Sequence, residues 1–216
     1  ADCCKKNNII FVGGETAEMP DVYNHGAVDV AGFILGVAEK EEVIDGSTIE
    51  EGDTMVGIAS TGLHSNGYSL VRAVLRAGKL KLNERIGTKS VGEILLRPHR
   101  NYLKTTTAVM EEHRIKGIAH ITGGSFRKNI PRILPKGLGA MISKGSWEPL
   151  PIFKLIQQKG DVPIDEMYNT FNMGIGYVYV IDRKDSDKAL QLLRQMNEKA
   201  YLIGKVVKGE GVTYVD

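Results

Sequence analysis

Gly62-Leu63-His64-Ser65-Asn66-Gly67-Tyr68-Ser69 places a short polar loop between an apolar run and a helical one. The residues before it, Thr54-Met55-Val56-Gly57-Ile58-Ala59, make an apolar stretch of strand length, while Leu70, Val71, Val74 and Leu75 recur at helical spacing. This predicts a strand over 54–59 and a helix over 68–76, with Ser65 and Asn66 at the N-cap. A helix start carries unpaired N–H groups and the positive end of the macrodipole, so such a loop can hold a phosphate or carboxylate. Ordinary capping accounts for one loop of this kind taken alone. Two further loops of similar character occur: Val12-Gly13-Gly14-Glu15-Thr16-Ala17-Glu18-Met19-Pro20 and Ala119-His120-Ile121-Thr122-Gly123-Gly124-Ser125.

Working outward, Ile9 to Val12 and Val28 to Val37 read as strands around the Gly-Gly-Glu-Thr loop, too few to bury both faces without neighbours. A charged, turn-rich stretch from Glu39 to Asp53 marks a boundary, giving a remnant over 1–40 and a domain over 41–216. In that domain, strands are expected at 116–120, 138–143, 174–181, 201–207 and 212–215. Helices are expected at 90–96, 99–113, 126–133, 151–158, 165–170 and 185–198. Pro98 suits a helix's first turn, and Gly209-Glu210-Gly211 reads as a hairpin turn. Helices interleaved with apolar strands predict a layered α+β fold around a mixed sheet.

Charge narrows the function classes. With 28 Lys and Arg against 26 Asp and Glu, the net charge is +2, and no run of five basic residues occurs. Neither a nucleic-acid footprint nor an acidic-membrane footprint is supported. The apolar stretches are too short and interrupted to span a bilayer, and the N-terminus lacks a signal-peptide pattern, so a soluble cytoplasmic protein is expected. Cys3 and Cys4 are neighbours, without the geometry for a normal disulfide or the spacing of a metal site.

The three loops, together with Glu166-Met167-Tyr168-Asn169-Thr170-Phe171-Asn172-Met173-Gly174, closely resemble the aminoimidazole ribonucleotide synthetase (phosphoribosylformylglycinamidine cyclo-ligase) family of purine biosynthesis. The match runs from about Asn8 to the C-terminus, with the four blocks in the family's order. It implies ATP-dependent ring closure of formylglycinamidine ribonucleotide, with ATP and Mg2+ required and a homodimer joined through first-domain strands. Family members are considerably longer, so the chain is expected to be a fragment that lacks most of the first domain and is inactive alone. Asp21, Leu63 and Ser125 depart from the family's usual Gly, Pro and Gly.

On this resemblance Gly13, Gly14, Glu15 and Thr16 fall to the ATP phosphates, with Glu15 a contributor to the metal. His64 is expected as the catalytic group, donating to a developing oxyanion or shuttling a proton. Ser65, Asn66, Gly67, Thr122, Gly123, Gly124 and Asn172 are expected at the substrate. His120 reads as structural, Trp147 as a packed anchor, and His25, His99 and His113 receive no role. Two alternatives stay open: a non-catalytic anion-binding or assembly module, and another phosphoryl-transfer enzyme of the same superfamily.

Overall fold

A computed structural model describes residues 1–216, which divide into two compact units, Ala1–Val43 and Ile44–Asp216. In the first unit only α1 (Asp2–Lys6) and a 3-10 turn at Lys40–Glu42 are regular. The strands expected at 9–12 and 28–37 do not form. A strand is held by its ladder, and this stretch has no partner to pair with. Val28, Val30, Phe33, Ile34, Leu35 and Val37 consequently remain exposed.

The second unit is a three-layer sandwich. Its strands are β1 (Thr54–Ala59), the paired β2 (Arg85–Ile86) and β3 (Lys89–Ser90), β4 (Ile115–His120), β5 (Leu138–Ser143), β6 (Ile175–Ile181), β7 (Ala200–Lys208) and β8 (Val212–Val215). Its helices are α2 (Tyr68–Arg76), α3 (Val91–Leu95), α4 (Leu103–Glu112), α5 (Ser125–Asn129), α6 (Pro151–Gly160), α7 (Ile164–Thr170) and α8 (Ser186–Gln195). Six strands form one sheet in the order β4-β6-β1-β7-β5-β8, antiparallel except for β5 with β8.

Alternation along the central strands divides the core. Met55 and Val178 face a cluster containing Val71 and Val74 of α2, Ile152, Phe153 and Ile156 of α6, and Met167 of α7. Val56, Ile58, Tyr179 and Ile181 face Val109 of α4 with Ala189, Leu190 and Leu193 of α8. Each fully buried side chain of this size contributes about 1.5–3 kcal/mol of transfer free energy, so covering both sheet faces is what fixes β1 and β6 in the interior of the sheet. Ser90 starts α3 with a reciprocal box: its hydroxyl accepts the Glu93 N–H, and the Glu93 carboxylate accepts the Ser90 N–H at 2.6 Å.

Two expectations about turns are corrected. Pro98 does not open a helix, because residues 97–102 instead bond the end of β1. Arg100 Nη1 and the Tyr102 hydroxyl donate to the Ala59 carbonyl at 3.0 and 3.2 Å, and Thr61 Oγ1 donates to the Pro98 carbonyl at 3.1 Å. Nor is Gly209-Glu210-Gly211 a hairpin, since β5 lies between β7 and β8. The turn passes over the start of β5 at Gly139, where a Cβ would stand 3.1 Å from the Gly211 carbonyl oxygen.

Candidate functional site

β1 and β4 each pair antiparallel with β6, so they run in the same direction and open their following loops at one sheet end. The loop after β1 leads into α2, and the loop after β4 leads into α5. Asn66, Gly67, Ser69 and Leu70 from the first join Gly123, Gly124, Arg127 and Lys128 from the second around a cleft of about 660 Å³. Glu166, Asn169 and Thr170 of α7 close the third side, with Thr170 Oγ1 donating to the Glu166 carboxylate at 2.8 Å.

Gly67 is the N-cap of α2 at φ 87°, and no side chain caps the helix. This corrects the expected capping by Ser65 and Asn66. Ser65 Oγ is paired instead with His99 Nδ1 at 3.2 Å, and the Asn66 side chain lies over Gly123, where a Cβ would meet its Oδ1 at 3.0 Å. The first N–H groups of α2 therefore keep their bonding capacity at the cleft. The exposed Arg127 and Lys128 add positive charge opposite them, so the cleft suits an anion.

The floor beneath this cleft is built from buried polar bonds. Asn172 is buried, with Oδ1 accepting from the Ser60 hydroxyl at 3.1 Å and the Gly174 N–H at 2.8 Å. Its Nδ2 donates to the Gly62 and Leu63 carbonyls at 2.9 and 3.2 Å. All four bonding directions of the amide are used within the chain, where they hold the Gly62–Leu63 backbone against Ser60 and Gly174. Thr122 likewise turns away, its hydroxyl donating to Asn129 Oδ1 at 3.1 Å. Ser125, the departure from the usual Gly, adopts φ 52° and is fully buried. Its hydroxyl donates to the Phe171 carbonyl at 2.6 Å, a bond that offsets the cost of a left-handed backbone.

His64 lies apart from this cleft. It is 6 % exposed, at φ 61°. Its ring stacks on His99 with centroids 3.9 Å apart, and His99 Nε2 lies 3.1 Å from His120 Nε2. Burial, the His99 and His120 rings, and Arg100 push His64 down to about 3, while burial lowers both His99 and His120. A group with that value is neutral at pH 7, with an unpartnered Nδ1 beside the other two rings. Sequence reasoning gave His99 no role because its partners lie far along the chain. Arg127 and Lys128 carried no signal beyond their place just after the Thr-Gly-Gly loop.

The depressed His64 sets a pH dependence. The unfolded chain binds this proton near the ordinary histidine value of 6.5 and the folded chain only near 3, so this contribution is present above pH 6.5 and is lost as pH falls. Lowering pH from 7 to 5 is expected to cost roughly 2 kcal/mol through His64 alone. Urea unfolding at the two pH values checks this. His64→Asn, which tolerates a left-handed backbone, should flatten the difference, and an equally steep profile in that variant would exclude His64 as its source.

Gly13, Gly14, Glu15 and Thr16 stand exposed in the Ala1–Val43 unit, outside any strand or helix. No helix of the structure is long and apolar enough to cross a membrane.

Comparison with known proteins places this geometry. The chain is 49 % identical to the phosphoribosylformylglycinamidine cyclo-ligase of Geobacillus sp. (strain WCH70) over 99 % of its own length and 63 % of that protein's. It is 50 % identical to the protein of that name from Thermoanaerobacter pseudethanolicus, covering 98 % of the chain and 63 % of the relative. The chain thus spans about 63 % of the length of these curated relatives. Its fold is similar to that of thiamine-monophosphate kinase from Stenotrophomonas maltophilia K279a, with a TM-score of 0.57 at 12 % identity over 79 % of this chain and 52 % of that one. The model for the AIR synthase related protein, C-terminal domain, matches residues 50–216, and the chain belongs to that family.

Proposed function

We propose that this chain supplies the ribonucleotide-binding side of an ATP-dependent cyclo-ligase, which closes formylglycinamidine ribonucleotide to aminoimidazole ribonucleotide in purine biosynthesis. The observation that carries the reading is the cleft uniting the uncapped start of α2 with Gly123, Gly124, Arg127 and Lys128, in a chain half identical to proteins of that name. The helix N–H groups and the two cations would hold the substrate's ribose phosphate.

An amide oxygen is a poor leaving group. Transfer of the γ-phosphoryl group from ATP makes it a phosphate ester. The substrate's internal N1 then attacks that carbon, phosphate departs, and proton loss leaves the imidazole ring with ADP and phosphate as co-products. Such chemistry needs positioning and charge stabilisation rather than a protein nucleophile. Asn172 and Ser60 hold the loop that presents the phosphate site.

Gly13, Gly14 and Thr16 are proposed to approach the ATP phosphates. Magnesium takes near-octahedral oxygen ligands, commonly one or two carboxylates with phosphate oxygens and water. Glu15 is exposed, and none of the carboxylates near it in sequence joins it in a cluster able to hold an ion. Residues 13–16 of this chain do not by themselves build a magnesium site. The exposed apolar stretch from Val28 to Val37 supports the further proposal of a cytoplasmic homodimer that covers it.

The 216-residue chain is therefore expected to bind the ribonucleotide without turning it over. Isothermal titration should show that the Arg127→Ala/Lys128→Ala variant binds formylglycinamidine ribonucleotide about 10-fold or more weakly, since each charge-assisted bond contributes about 1.5–3 kcal/mol. The nucleoside without its phosphate should bind wild type and variant alike. Equal ribonucleotide affinity in both proteins would overturn the site, and ADP release by the chain alone would overturn the division of labour.

A further inference from the structure

His64 lies midway along the loop after β1, His99 lies in the segment before α4, and His120 is the last residue of β4. The fold brings these three imidazoles together although the sequence separates them widely. One ligand nitrogen from each lies within 4.8 Å of the others. No carboxylate belongs to the group, and Arg100 is the charged neighbour acting on His64.

We propose that His64, His99 and His120 form a binding site for a divalent transition-metal ion of borderline softness, of the zinc, cobalt or nickel class. The closest pair already has suitable spacing: His99 Nε2 and His120 Nε2 are 3.1 Å apart. Two imidazole nitrogens about 2.0–2.1 Å from one tetrahedral ion lie roughly 3.3 Å from each other. Ser65 Oγ sits 3.2 Å from His99 Nδ1, so the proton on that nitrogen can be held by the hydroxyl while the Nε2 lone pair is presented to the ion. This is the outer-shell bond that metal-ligating histidines regularly make.

His64 supplies the second observation. Its Nε2 accepts the Thr61 N–H at 3.2 Å, while its Nδ1 is buried with no hydrogen-bond partner. Because Nε2 accepts, the ring proton sits on Nδ1; ligation through Nδ1 moves that proton to Nε2 and breaks the Thr61 bond, a cost that the metal bond has to exceed. His64 and His99 are stacked at 20°, so the two rings must tilt apart before their lone pairs converge, with His99 Nε2 remaining beside His120 Nε2. His99 is partly exposed, which gives it that freedom and gives the ion a route in.

Three nitrogen donors with an open fourth position match a zinc-type shell and reject magnesium, which requires oxygen ligands. The site is thus distinct in metal preference from any magnesium that accompanies ATP. Without an ion, the His99–His120 contact is a neutral hydrogen bond between rings. The competing outcome is therefore a histidine cluster with no affinity for metal.

Co2+ distinguishes the two. The 216-residue chain, with Cys3→Ser and Cys4→Ser to remove thiol ligands, is titrated with Co2+ while the visible ligand-field bands are followed. A stoichiometric site is expected to give the intense bands of low-coordinate Co2+, unaffected by excess Mg2+. His99→Ala should weaken binding by at least about 100-fold, since losing even an outer-shell partner of a ligand costs 10–100-fold. Ser65→Ala should weaken it about 10-fold, and His25→Ala should leave it unchanged. If His99→Ala lowers thermal stability, His99→Asn is titrated in its place. Bands no stronger than those of hydrated Co2+, or bands retained in the His99 variants, would overturn the site.

Discussion

Replacing Asp53 with Ala is expected to destabilise the Ile44–Asp216 unit by about 3–5 kcal/mol. Lys116 Nζ lies 2.7 and 2.9 Å from the two Asp53 oxygens, and both side chains are almost fully buried. Asp53 Oδ2 also accepts the Glu50 N–H at 2.8 Å, so the carboxylate joins β4 to the turn that precedes β1. Removing it leaves a buried ammonium with only Glu50, 3.5 Å away and mostly exposed. Surface pairs on this protein are a different case. The pairing of Lys208 with Glu51, for example, should contribute less than about 1 kcal/mol. Replacing both buried partners, as Asp53→Asn with Lys116→Met, should recover most of the loss, because no unpaired charge remains. Urea unfolding of Asp53→Ala, Asp53→Asn, Lys116→Met and the double variant measures this. A single Asp53→Ala loss below about 1 kcal/mol would show that the ammonium finds water the fold does not reveal.

The second large effect is expected at Gly67. A Cβ there would come within 2.2 Å of Phe171 Cε1, and the backbone lies at φ 87°. Phe171 is fully buried and packs against Phe153 with centroids 5.7 Å apart, so the ring has no space into which to retreat. The left-handed backbone costs an Ala about 1–2 kcal/mol and overpacking a further 1–3 kcal/mol, giving roughly 3 kcal/mol in total. For a unit of this size that lowers Tm by on the order of 10 °C. The cleft should suffer as well, since Gly67 is both the N-cap of α2 and part of its wall. Phe171→Leu in the Gly67→Ala background should restore part of the stability, giving a coupling of the kind seen between touching residues. Additive losses in that cycle would place the strain elsewhere.

How much of this could be read from the sequence follows from where the physics is local. β1 and β5 have the expected bounds because each is a short apolar run closed by turn residues, and α2 likewise begins and ends where its apolar spacing does. β2 and β3 were missed because two-residue strands have no periodicity to detect. The stretch from Val28 to Val37 has strand composition, but pairing is a property of neighbours and not of composition. β7 and β8 look like a hairpin until β5 is placed between them, and the bare backbone at Gly139 is the only local trace of that crossing.

The site divides along the same line. The Gly-rich loops signalled a cleft because glycines at strand ends mark close backbone approach, and Gly67, Gly123 and Gly124 do line it. What residue types cannot show is which way a polar side chain turns. Ser65 faces His99, Thr122 faces Asn129, and Asn172 spends every bond on the loop beneath the cleft. His64 stands in the most informative motif of the chain, but its burial beside two other imidazoles decides its chemistry.

The central claim is that the start of α2 and the Gly123 to Lys128 segment hold the phosphate of a ribonucleotide. Its most direct test is a crystal structure of the chain with formylglycinamidine ribonucleotide. The account predicts the 5′-phosphate within hydrogen-bond reach of the Ser69 and Leu70 N–H groups, with Arg127 or Lys128 against it. A phosphate bound outside this cleft, with these groups left to solvent, would contradict the account.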